Sequence, residues 1–312
     1  MKRQRGLAAV TALLIVAIAA STAALMLSQQ SAMLDQSSMV VARAQADQYA
    51  QAGIDWARGI LAEDARKSAV DTLDEAWAQP IAALPVERAV VSGRIEDEQG
   101  KFNLNNLALV RTKNDDSWVV FNNLLQRVGL PLELADAIKD WVDTDGDLSA
   151  LNGNVGAEDS YYLALAKPYR AANRPMVSVD ELYRVRGFDA ATVAKLRPHV
   201  TALPVIGDKP TPINVNTASE VMLGAITNAL DTARIAALAA RRTQKPFASG
   251  DDFLRAVALT VGGSAHALYD VSSAYFSVRI QVAQDDVQLA SDALIRRNPD
   301  KTTVILWRRP RY

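Results

Sequence analysis

The chain of 312 residues contains no cysteine and only two histidines. Without cysteine there is no disulfide, no zinc–thiolate site and no thiol nucleophile. The histidines, His199 and His266, lie far apart in sequence, which argues against a histidine-rich metal site or a histidine-based catalytic triad. No glycine-rich phosphate loop and no recognisable nucleophile motif occurs either. We therefore predict that the protein is not an enzyme.

A strong net charge is also missing. The chain has 34 basic and 35 acidic residues, giving a net charge of -1, so nothing global attracts nucleic acid or an anionic surface. Hydrophobic residues make up 49% and charged residues 22%, which is ordinary for a folded chain. This length allows one large domain or two ordinary ones.

The amino-terminal part lacks charge and proline over a long distance. A basic head, MKRQRG, precedes an apolar run from Leu7 to Leu27; the next charge is Asp35 and the first proline is Pro80. As a helix, these 21 residues would span about 31 Å, roughly the thickness of the hydrocarbon core of a bilayer. The basic head predicts a cytoplasmic amino terminus, with the rest of the chain outside.

Helical spacing continues beyond this apolar run, which predicts one helix of about 60 residues that begins in the membrane and emerges into water. A secretory signal peptide would have a shorter apolar stretch followed by a small-x-small cleavage site. That signal peptide and a generic signal anchor are the alternatives. The residues at helical spacing are Val41, Ala44, Gln48, Ala52, Trp56 and Gly59/Ile60.

Strand patterns occur on both sides of a central region rich in alanine and leucine. A strand is predicted over 86–96, and three strands are predicted after residue 273, with a turn at Asp285–Asp286. Between them, helix starts are predicted at Leu130–Pro131, at Ser178 and at Thr217. Because two-stranded pieces are marginal alone, the outer strands should pair in one sheet packed on the long helix.

This pattern predicts an α+β fold. A long amino-terminal transmembrane and amphipathic helix packs on a small antiparallel sheet, and a large all-α domain is inserted between strands. The predicted organisation comprises a leader (1–6), the transmembrane part of the helix (7–28), the rest of the helix with the first strand or strands (29–101), the inserted helical domain (102–272) and the carboxy-terminal strands (273–312).

An acidic loop follows the first predicted helix of the central region, which starts at Leu130–Pro131. The run DWVDTDGD at 140–147 places carboxylates at alternating positions, and two more follow after Gly156. Calcium takes six to eight oxygen ligands, and no nitrogen or sulfur donor nearby favours a softer metal. The pattern is not an EF-hand, and a solvated acidic loop is the alternative. The predicted ligands are Asp143, Asp145, Asp147, Glu158 and Asp159.

The leader MKRQRG followed by LAAVTALLIVAIAA resembles the type IV pilin leader, which implies that the predicted α+β fold is pilin-like. In that family a prepilin peptidase cuts after the glycine and methylates the new amino terminus, which implies cleavage between Gly6 and Leu7. Most pilins have a glutamate five residues after the cut, where this chain has Thr11. The K-type minor pseudopilin of type II secretion systems is the member that lacks this glutamate.

Further stretches along the chain resemble that same K-type family. They are QAGIDWARGIL (51–61), GKFNLNNL (100–107), DWVDTDGD (140–147), the stretch from 156 to 188, and INVNTA (213–218). The resemblance implies calcium as a cofactor and a place in the pseudopilus tip complex, which helps to initiate assembly and to export folded proteins across the outer membrane. It also implies I-type and J-type minor pseudopilins as partners, the major pseudopilin as an indirect partner, an inner-membrane anchor and a periplasmic carboxy-terminal domain.

One motif points in a different direction. Residues 213–256 resemble the helix-hairpin-helix of membrane-anchored DNA receptors used in competence, and 176–200 resemble a weaker copy. The expected hairpin, 227–230, lacks the glycines that bring backbone amides to a phosphate, and the basic cluster Arg241, Arg242 and Lys245 is small. We interpret the module as structural, with no nucleic acid partner, and keep the DNA receptor as the alternative function. Asn214, Asn216 and Thr217 are then predicted to be cap and turn residues.

Overall fold

The computed structural model describes residues 4–153, 156–226, 230–257 and 267–311. Helix α1, Gln4–Lys67, is 64 residues long and confirms the predicted long helix. Its amino-terminal part is long and apolar enough to cross a membrane, and none of that window is buried inside the protein. The core helix of a soluble protein would be buried. This exposed part is therefore consistent with a single-pass membrane anchor.

The other α-helices are short, and all of those in the described part of the chain lie between residues 116 and 256. The helices are α2 (Asp116–Arg127), α3 (Glu133–Val142), α4 (Asp159–Tyr162), α5 (Ala190–Leu196), α6 (Glu220–Ile226), α7 (Thr232–Gln244) and α8 (Gly250–Ala256). The strands are β1 (Ile81–Val86), β2 (Ala89–Asp97), β3 (Phe102–Asn103), β4 (Val200–Thr201), β5 (Ile213–Asn214), β6 (Tyr269–Asp270), β7 (Tyr275–Gln284), β8 (Val287–Arg297) and β9 (Thr303–Arg311).

Five strands form one antiparallel sheet in the order β1-β2-β7-β8-β9. The three predicted carboxy-terminal strands are confirmed, and the predicted turn joins β7 to β8 through Asp285, which has a positive φ of 49°. Strand β2 confirms most of the strand predicted over 86–96, but Glu87, with a φ of 52°, turns the chain and leaves Val86 in the separate strand β1. The central region is inserted between the neighbouring strands β2 and β7.

Helix α1 packs on one face of this sheet through small and branched side chains. Gly53 allows the closest approach, since an added Cβ there would lie 3.1 Å from the Ile280 side chain. The predicted helical stripe, by contrast, faces away from the sheet, and Trp56 on it is 51% exposed. The buried positions of α1 lie on the opposite side: Ala46, Ala50, Ile54, Ala57 and Leu61.

The central region has its own core, to which α2, α3, α5, α6, α7 and α8 and the loops around them contribute. The helix predicted at Ser178 is a 3-10 helix, Val179–Arg184, whose start Ser178 caps by accepting from the Asp180 backbone N–H at 3.2 Å. Two short parallel strand pairs, β3 with β4 and β5 with β6, were not predicted. They arise because distant loop segments align in register beside a helical core.

Buried asparagines link these distant loop segments. Asn216 was predicted to be a turn residue, yet its side chain exchanges two hydrogen bonds with the Phe247 backbone, at 3.0 and 3.1 Å. Asn106 forms the same paired contact with the Thr211 backbone, at 2.8 and 3.0 Å. Buried amide side chains stabilise a fold only when their donors and acceptors are satisfied. These paired hydrogen bonds therefore hold together loops that have no regular secondary structure.

The sheet and the central region meet at the buried carboxylate of Asp97. Its oxygens accept from the Gln99 backbone N–H at 2.8 Å, the Thr217 hydroxyl at 2.6 Å, the Ser273 hydroxyl at 2.7 Å and the Asn214 amide at 3.0 Å. Asp97 thus contacts both the segment that leaves the sheet and the segment that returns to it. Burial raises the pKa of Asp97 to about 6, although these hydrogen bonds oppose the shift.

We expect Asp97→Asn to flatten the dependence of stability on pH. Because the folded-state pKa lies above the unfolded value, the folded protein binds the proton more tightly. The free energy of unfolding therefore falls as the pH rises from about 4 to about 6, by up to about 3 kcal/mol for this carboxyl. Urea unfolding of the fragment 30–312 at pH 4.5, 5.5 and 6.5 measures the slope. Asp286→Asn, in an exposed turn, should keep the parental slope, and an unchanged slope in Asp97→Asn would contradict the assignment.

Candidate functional site

Carboxylates on one face of α3 hold the acidic loop that follows it. Asp136 accepts from the Ser149 hydroxyl and the Leu151 backbone N–H, both at 2.7 Å. One turn later, Asp140 accepts from the Ser149 backbone N–H at 2.9 Å. The loop from Asp143 to Ser149 is thus folded back onto the carboxy-terminal half of α3.

Beside this anchor the structure leaves several buried carboxylate oxygens without a partner. One oxygen of Asp140, one of Asp143 and both of Glu158 make no hydrogen bond, although all three residues are at least 96% buried. Lys139 pairs with the other Asp143 oxygen at 2.6 Å. Buried unpaired carboxylate oxygens are costly unless a cation or another donor satisfies them. Hard oxygen donors in this arrangement suit calcium.

The electrostatics of these carboxylates point in the same direction. Burial, followed by the nearby Asp140 and Asp143 charges, raises the pKa of Glu158 to about 7. Burial also raises the pKa of Asp140 to about 6, and Asp143 adds to that shift. The pKa of Asp143 is raised by burial as well, although Lys139 opposes it. Three carboxyls that resist ionisation beside one lysine form a site that a divalent cation would stabilise.

The predicted ligands separate into two groups in the structure. Asp143 and Glu158 belong to the buried cluster, whereas Asp145 and Asp147 are exposed, and an Asp145 oxygen accepts from the Asp147 backbone N–H at 3.0 Å. Asp159 instead pairs with Arg170 at 3.0 Å. The ligand set remains a prediction for all five.

Sequence reasoning left Asp140 out of the ligand set. Asp140 lies in the last turn of α3 and Asp143 directly follows the helix, so their spacing of three residues places both carboxylates at the same end of α3, and that signal could have identified Asp140. Gly156 gives a second indication, because a Cβ added there would overlap the unpartnered Asp140 oxygen. The glycine therefore leaves room for this carboxylate to face the cluster.

The closest-spaced group of carboxylates among the described residues lies elsewhere. Ligand atoms of Asp64, Asp71 and Glu75 all lie within 4.8 Å of one another. Arg297 pairs with Asp64 at 3.1 Å and also with Asp71, while Glu75 accepts from the Trp77 indole at 2.8 Å. Arg297 offsets part of the negative charge and these contacts engage all three carboxylates, so the group is a structural ion-pair cluster.

Comparisons with known proteins agree with this architecture along most of the chain. Two family profiles, both described as "Type II secretion system (T2SS), protein K", match residues 100–205 and 213–278, respectively. Protein K of Pseudomonas aeruginosa is 34% identical over 95% of this chain and 90% of its own. Protein K of Aeromonas hydrophila is 31% identical over 98% of this chain and 97% of its own.

The chain belongs to the type II secretion system protein K family. A crystal structure of the GspK–GspI–GspJ complex from enterotoxigenic Escherichia coli contains a similar chain, with a TM-score of 0.75 and 26% identity, covering 86% of this chain and 97% of that one. The predicted K-type resemblance and pilin-like fold are thereby confirmed. Members of the protein K family are minor pseudopilins, structural components of the secretion machine.

The basic residues of the helix-hairpin-helix resemblance have structural contacts. Arg242 is largely buried and donates to the Val215 and Ala218 carbonyls at 2.8 and 2.6 Å. Arg241 lies over the Phe247 ring, 4.7 Å from its centre. The predicted hairpin residues 227–229 lie outside the described residues, as does His266. These arginines hold the central region together, so the DNA-receptor alternative is not favoured.

Proposed function

We propose that this protein occupies the tip of the pseudopilus, in contact with I-type and J-type minor pseudopilins. The observation that carries the proposal is the likeness along nearly the whole chain to the K chain of a GspK–GspI–GspJ complex. The exposed side of α1, which includes Trp56, is free to pack against neighbouring helices. The major pseudopilin would then be reached indirectly, through these partners.

Thr11 supports a terminal position. Its hydroxyl donates to the Leu7 and Ala8 carbonyls at 3.1 and 3.0 Å within the helix, and it carries no charge. A glutamate at this position can neutralise the charged amino terminus of a neighbouring subunit, and an unpaired charge in an apolar core costs several kcal/mol. A subunit with threonine here supplies no countercharge to a subunit above it. It fits best where no subunit follows.

The size of the central region supports the same position. About 170 residues are inserted between β2 and β7, so the head is much wider than the five-stranded sheet alone. A head of this width would obstruct the stacking of further subunits along a thin filament. At the tip it meets no such restriction.

We expect a photo-crosslinking residue at position 56 to capture the I-type and J-type subunits. Trp56 lies on the exposed side of α1, whereas Trp77 is 1% exposed and provides the matched control, which should give no crosslinks. Products are identified by mass spectrometry after irradiation of cells that assemble the filament. Products formed mainly with the major pseudopilin would contradict the tip position.

We also expect cleavage between Gly6 and Leu7 by prepilin peptidase. The basic head and the uninterrupted apolar helix provide the motivation. Mass spectrometry of the membrane-extracted protein should find Leu7, N-methylated, as the first residue. A mature chain that begins near residue 30 would instead indicate an ordinary signal peptidase and would contradict processing as a pilin.

The proposed topology has the apolar part of α1 in the inner membrane and the sheet and central region in the periplasm. The basic head before the apolar run supports this orientation. In this position the protein acts by assembly rather than by catalysis, helping to initiate the filament that exports folded proteins. A gel-shift assay at low salt tests the DNA-receptor alternative, because phosphate contacts are strongest there.

The proposed cofactor is calcium, held by the buried cluster at the end of α3. Asp140, Asp143 and Glu158 would supply its carboxylate ligands, and the unpartnered oxygens of these residues support the assignment. Asp145, Asp147 and Asp159 would complete the site if the loop closes over the ion. Calcium here would lock the loop to the helix and so stabilise the head.

A further inference from the structure

The sheet face that α1 does not cover carries a row of arginines. Because side chains alternate along a strand, Arg279 lies opposite the face on which Ile280 packs against α1. The register aligns Arg94 of β2 with Arg279 of β7, Arg279 with Asp292 of β8, and Asp292 with Arg309 of β9. Four neighbouring strands thus carry three arginines and one aspartate in a row about 14 Å long.

This row has more positive charge than its own carboxylates neutralise. Asp292 pairs with Arg279 at 2.6 Å and also with Arg311 at 2.9 Å. Arg94 pairs with Glu96, so these three arginines share two carboxylates, and Arg309 adds a fourth positive charge. Like charges directly opposite each other on paired strands destabilise a sheet, and Arg94 faces Arg279 in that way.

Arg309 is the arginine of the row that lacks a carboxylate partner among the described residues. Its guanidinium lies over the Trp307 ring, 4.7 Å from the ring centre, and its side chain is exposed. The stacked arginine therefore keeps its hydrogen-bond donors available. A planar guanidinium held in this way is suited to a carboxylate, which it can bind through two hydrogen bonds.

The central region supplies the opposite wall of a groove over this row. The wall includes Ser178, Asp180 and Arg197, and the half-open groove has a volume of about 230 Å³. That volume is below the roughly 300–1,000 Å³ typical of small-molecule sites. Val177 and Tyr183 beside it are 51% and 53% exposed. Arginine, tyrosine and tryptophan together are the residues enriched in the energetic centres of protein interfaces.

We propose that this arginine groove, formed by Arg94, Arg279, Arg309 and Trp307 with the facing wall, docks an acidic segment of a partner protein. Carboxylates of that segment pair with the surplus guanidinium groups, and an apolar side chain packs on Trp307. Charge complementarity favours an acidic segment, and the small volume favours side chains of a protein over a separate ligand. The groove lies on the sheet face opposite α1, so it serves a partner other than a helix packed along α1.

The test uses the full chain in uncharged detergent micelles and a fluorescein-labelled peptide of six glutamates. Fluorescence anisotropy at low salt should show saturable binding of this peptide and none of a six-glutamine peptide. Arg309→Glu should raise the Kd about tenfold or more, as expected for close charge pairs across an interface. Arg94→Glu should act in the same direction.

A matched charge reversal away from the groove provides the control. Arg234 is exposed in the first turn of α7, where a glutamate is compatible with the helix dipole, so Arg234→Glu should leave the Kd within about twofold. Equal weakening by Arg234→Glu and Arg309→Glu would reveal non-specific attraction and overturn the proposal. So would the absence of hexaglutamate binding by the folded parent chain.

Two further binding experiments test whether the groove binds other anions instead of an acidic protein segment. Displacement of the peptide by inorganic phosphate at a similar concentration of charge would assign the groove to small anions and overturn a protein partner. Tighter, Arg309-dependent binding of a single-stranded DNA 20-mer would assign it to nucleic acid. Neither result bears on whether the protein occupies the filament tip, which the crosslinks from position 56 test separately.

Discussion

Replacing Arg297 by methionine is expected to lower the free energy of unfolding by about 3–5 kcal/mol. Arg297 is 90% buried and donates to Asp64 at 3.1 Å, to Asp71 and to the Ser273 carbonyl at 2.8 Å. These contacts tie β8 to the end of α1 and to the segment that returns from the central region. Without the guanidinium, the Asp71 carboxylate, which is 98% buried, would lack its countercharge.

The loss of stability in Arg297→Met should depend on pH. Burial, with the Glu75 and Asp71 charges, already raises the pKa of Asp64 to about 6, and Arg297 opposes that rise. In Arg297→Met the pKa of Asp64 should rise further, so its protonation at low pH relieves the uncompensated charge. The destabilisation should therefore be smaller at pH 5 than at pH 8.

Chemical unfolding of the fragment 30–312 measures this effect, and two further variants sharpen it. Arg88→Met removes an exposed ion pair with Asp285 and should cost at most about 1 kcal/mol. Combining Arg297→Met with Asp71→Asn should recover part of the loss, because the unpaired charge is then removed. If Arg297→Met and Arg88→Met lower the free energy of unfolding by similarly small amounts, the contact between the sheet and the central region does not depend on this ion-pair cluster.

Calcium is expected to raise the stability of the same fragment by about 4 kcal/mol when its concentration is about 1,000 times the Kd. The physical reason is the set of unpartnered oxygens on Asp140, Asp143 and Glu158, which repel one another in the absence of a cation. A cation that binds only the folded state stabilises that state by mass action. Melting curves with calcium and with a chelator measure the difference.

Variants of the cluster should separate the calcium effect from a general loss of stability. Asp143→Ala should reduce the calcium-dependent shift, and membrane insertion of the full chain should be unaffected. Glu158→Gln should reduce the shift while raising the stability measured in chelator, since it removes a buried charge that lacks a partner. Asp286→Asn, an exposed carboxylate in the turn between β7 and β8, should retain the full shift.

Magnesium should stabilise the protein less than calcium, because it demands smaller, octahedral sites and gives up its water reluctantly. A parent protein that folds but melts at the same temperature in calcium and in chelator would leave the acidic loop without a metal-binding role. Stabilisation by calcium that survives in both Asp143→Ala and Glu158→Gln would place the ion elsewhere.

Local sequence patterns predicted the regular elements well. The uncharged run and the absence of proline before Pro80 predicted α1, and residue alternation predicted β7, β8 and β9. Both signals are periodic and need no knowledge of distant residues. The face of α1 that packs was not evident in the same way. Alanine occurs on both sides of the helix, and the packed side was decided by where Gly53 lets Ile280 approach.

The candidate calcium site shows the same division. The sequence indicated an acidic loop, because carboxylates close together in the chain can be read directly. It could not indicate that Glu158 is buried while Asp145 and Asp147 point to solvent, since that depends on how the loop folds back onto α3. Asp140 was overlooked because its role arises from the burial that it shares with Asp143 at the end of α3.

The sequence by itself determined that this protein has a membrane-type helix, a small sheet and a K-type arrangement of motifs. These features follow from local periodicity, charge and composition, which each segment carries alone. Tertiary structure alone decided the ion-pair cluster around Arg297, the paired hydrogen bonds of Asn106 and Asn216, and the arginine row across four strands. Their members are separated by tens to hundreds of residues, as in the 226 residues between Asp71 and Arg297. Such contacts depend on strand register and chain return, which no local pattern encodes.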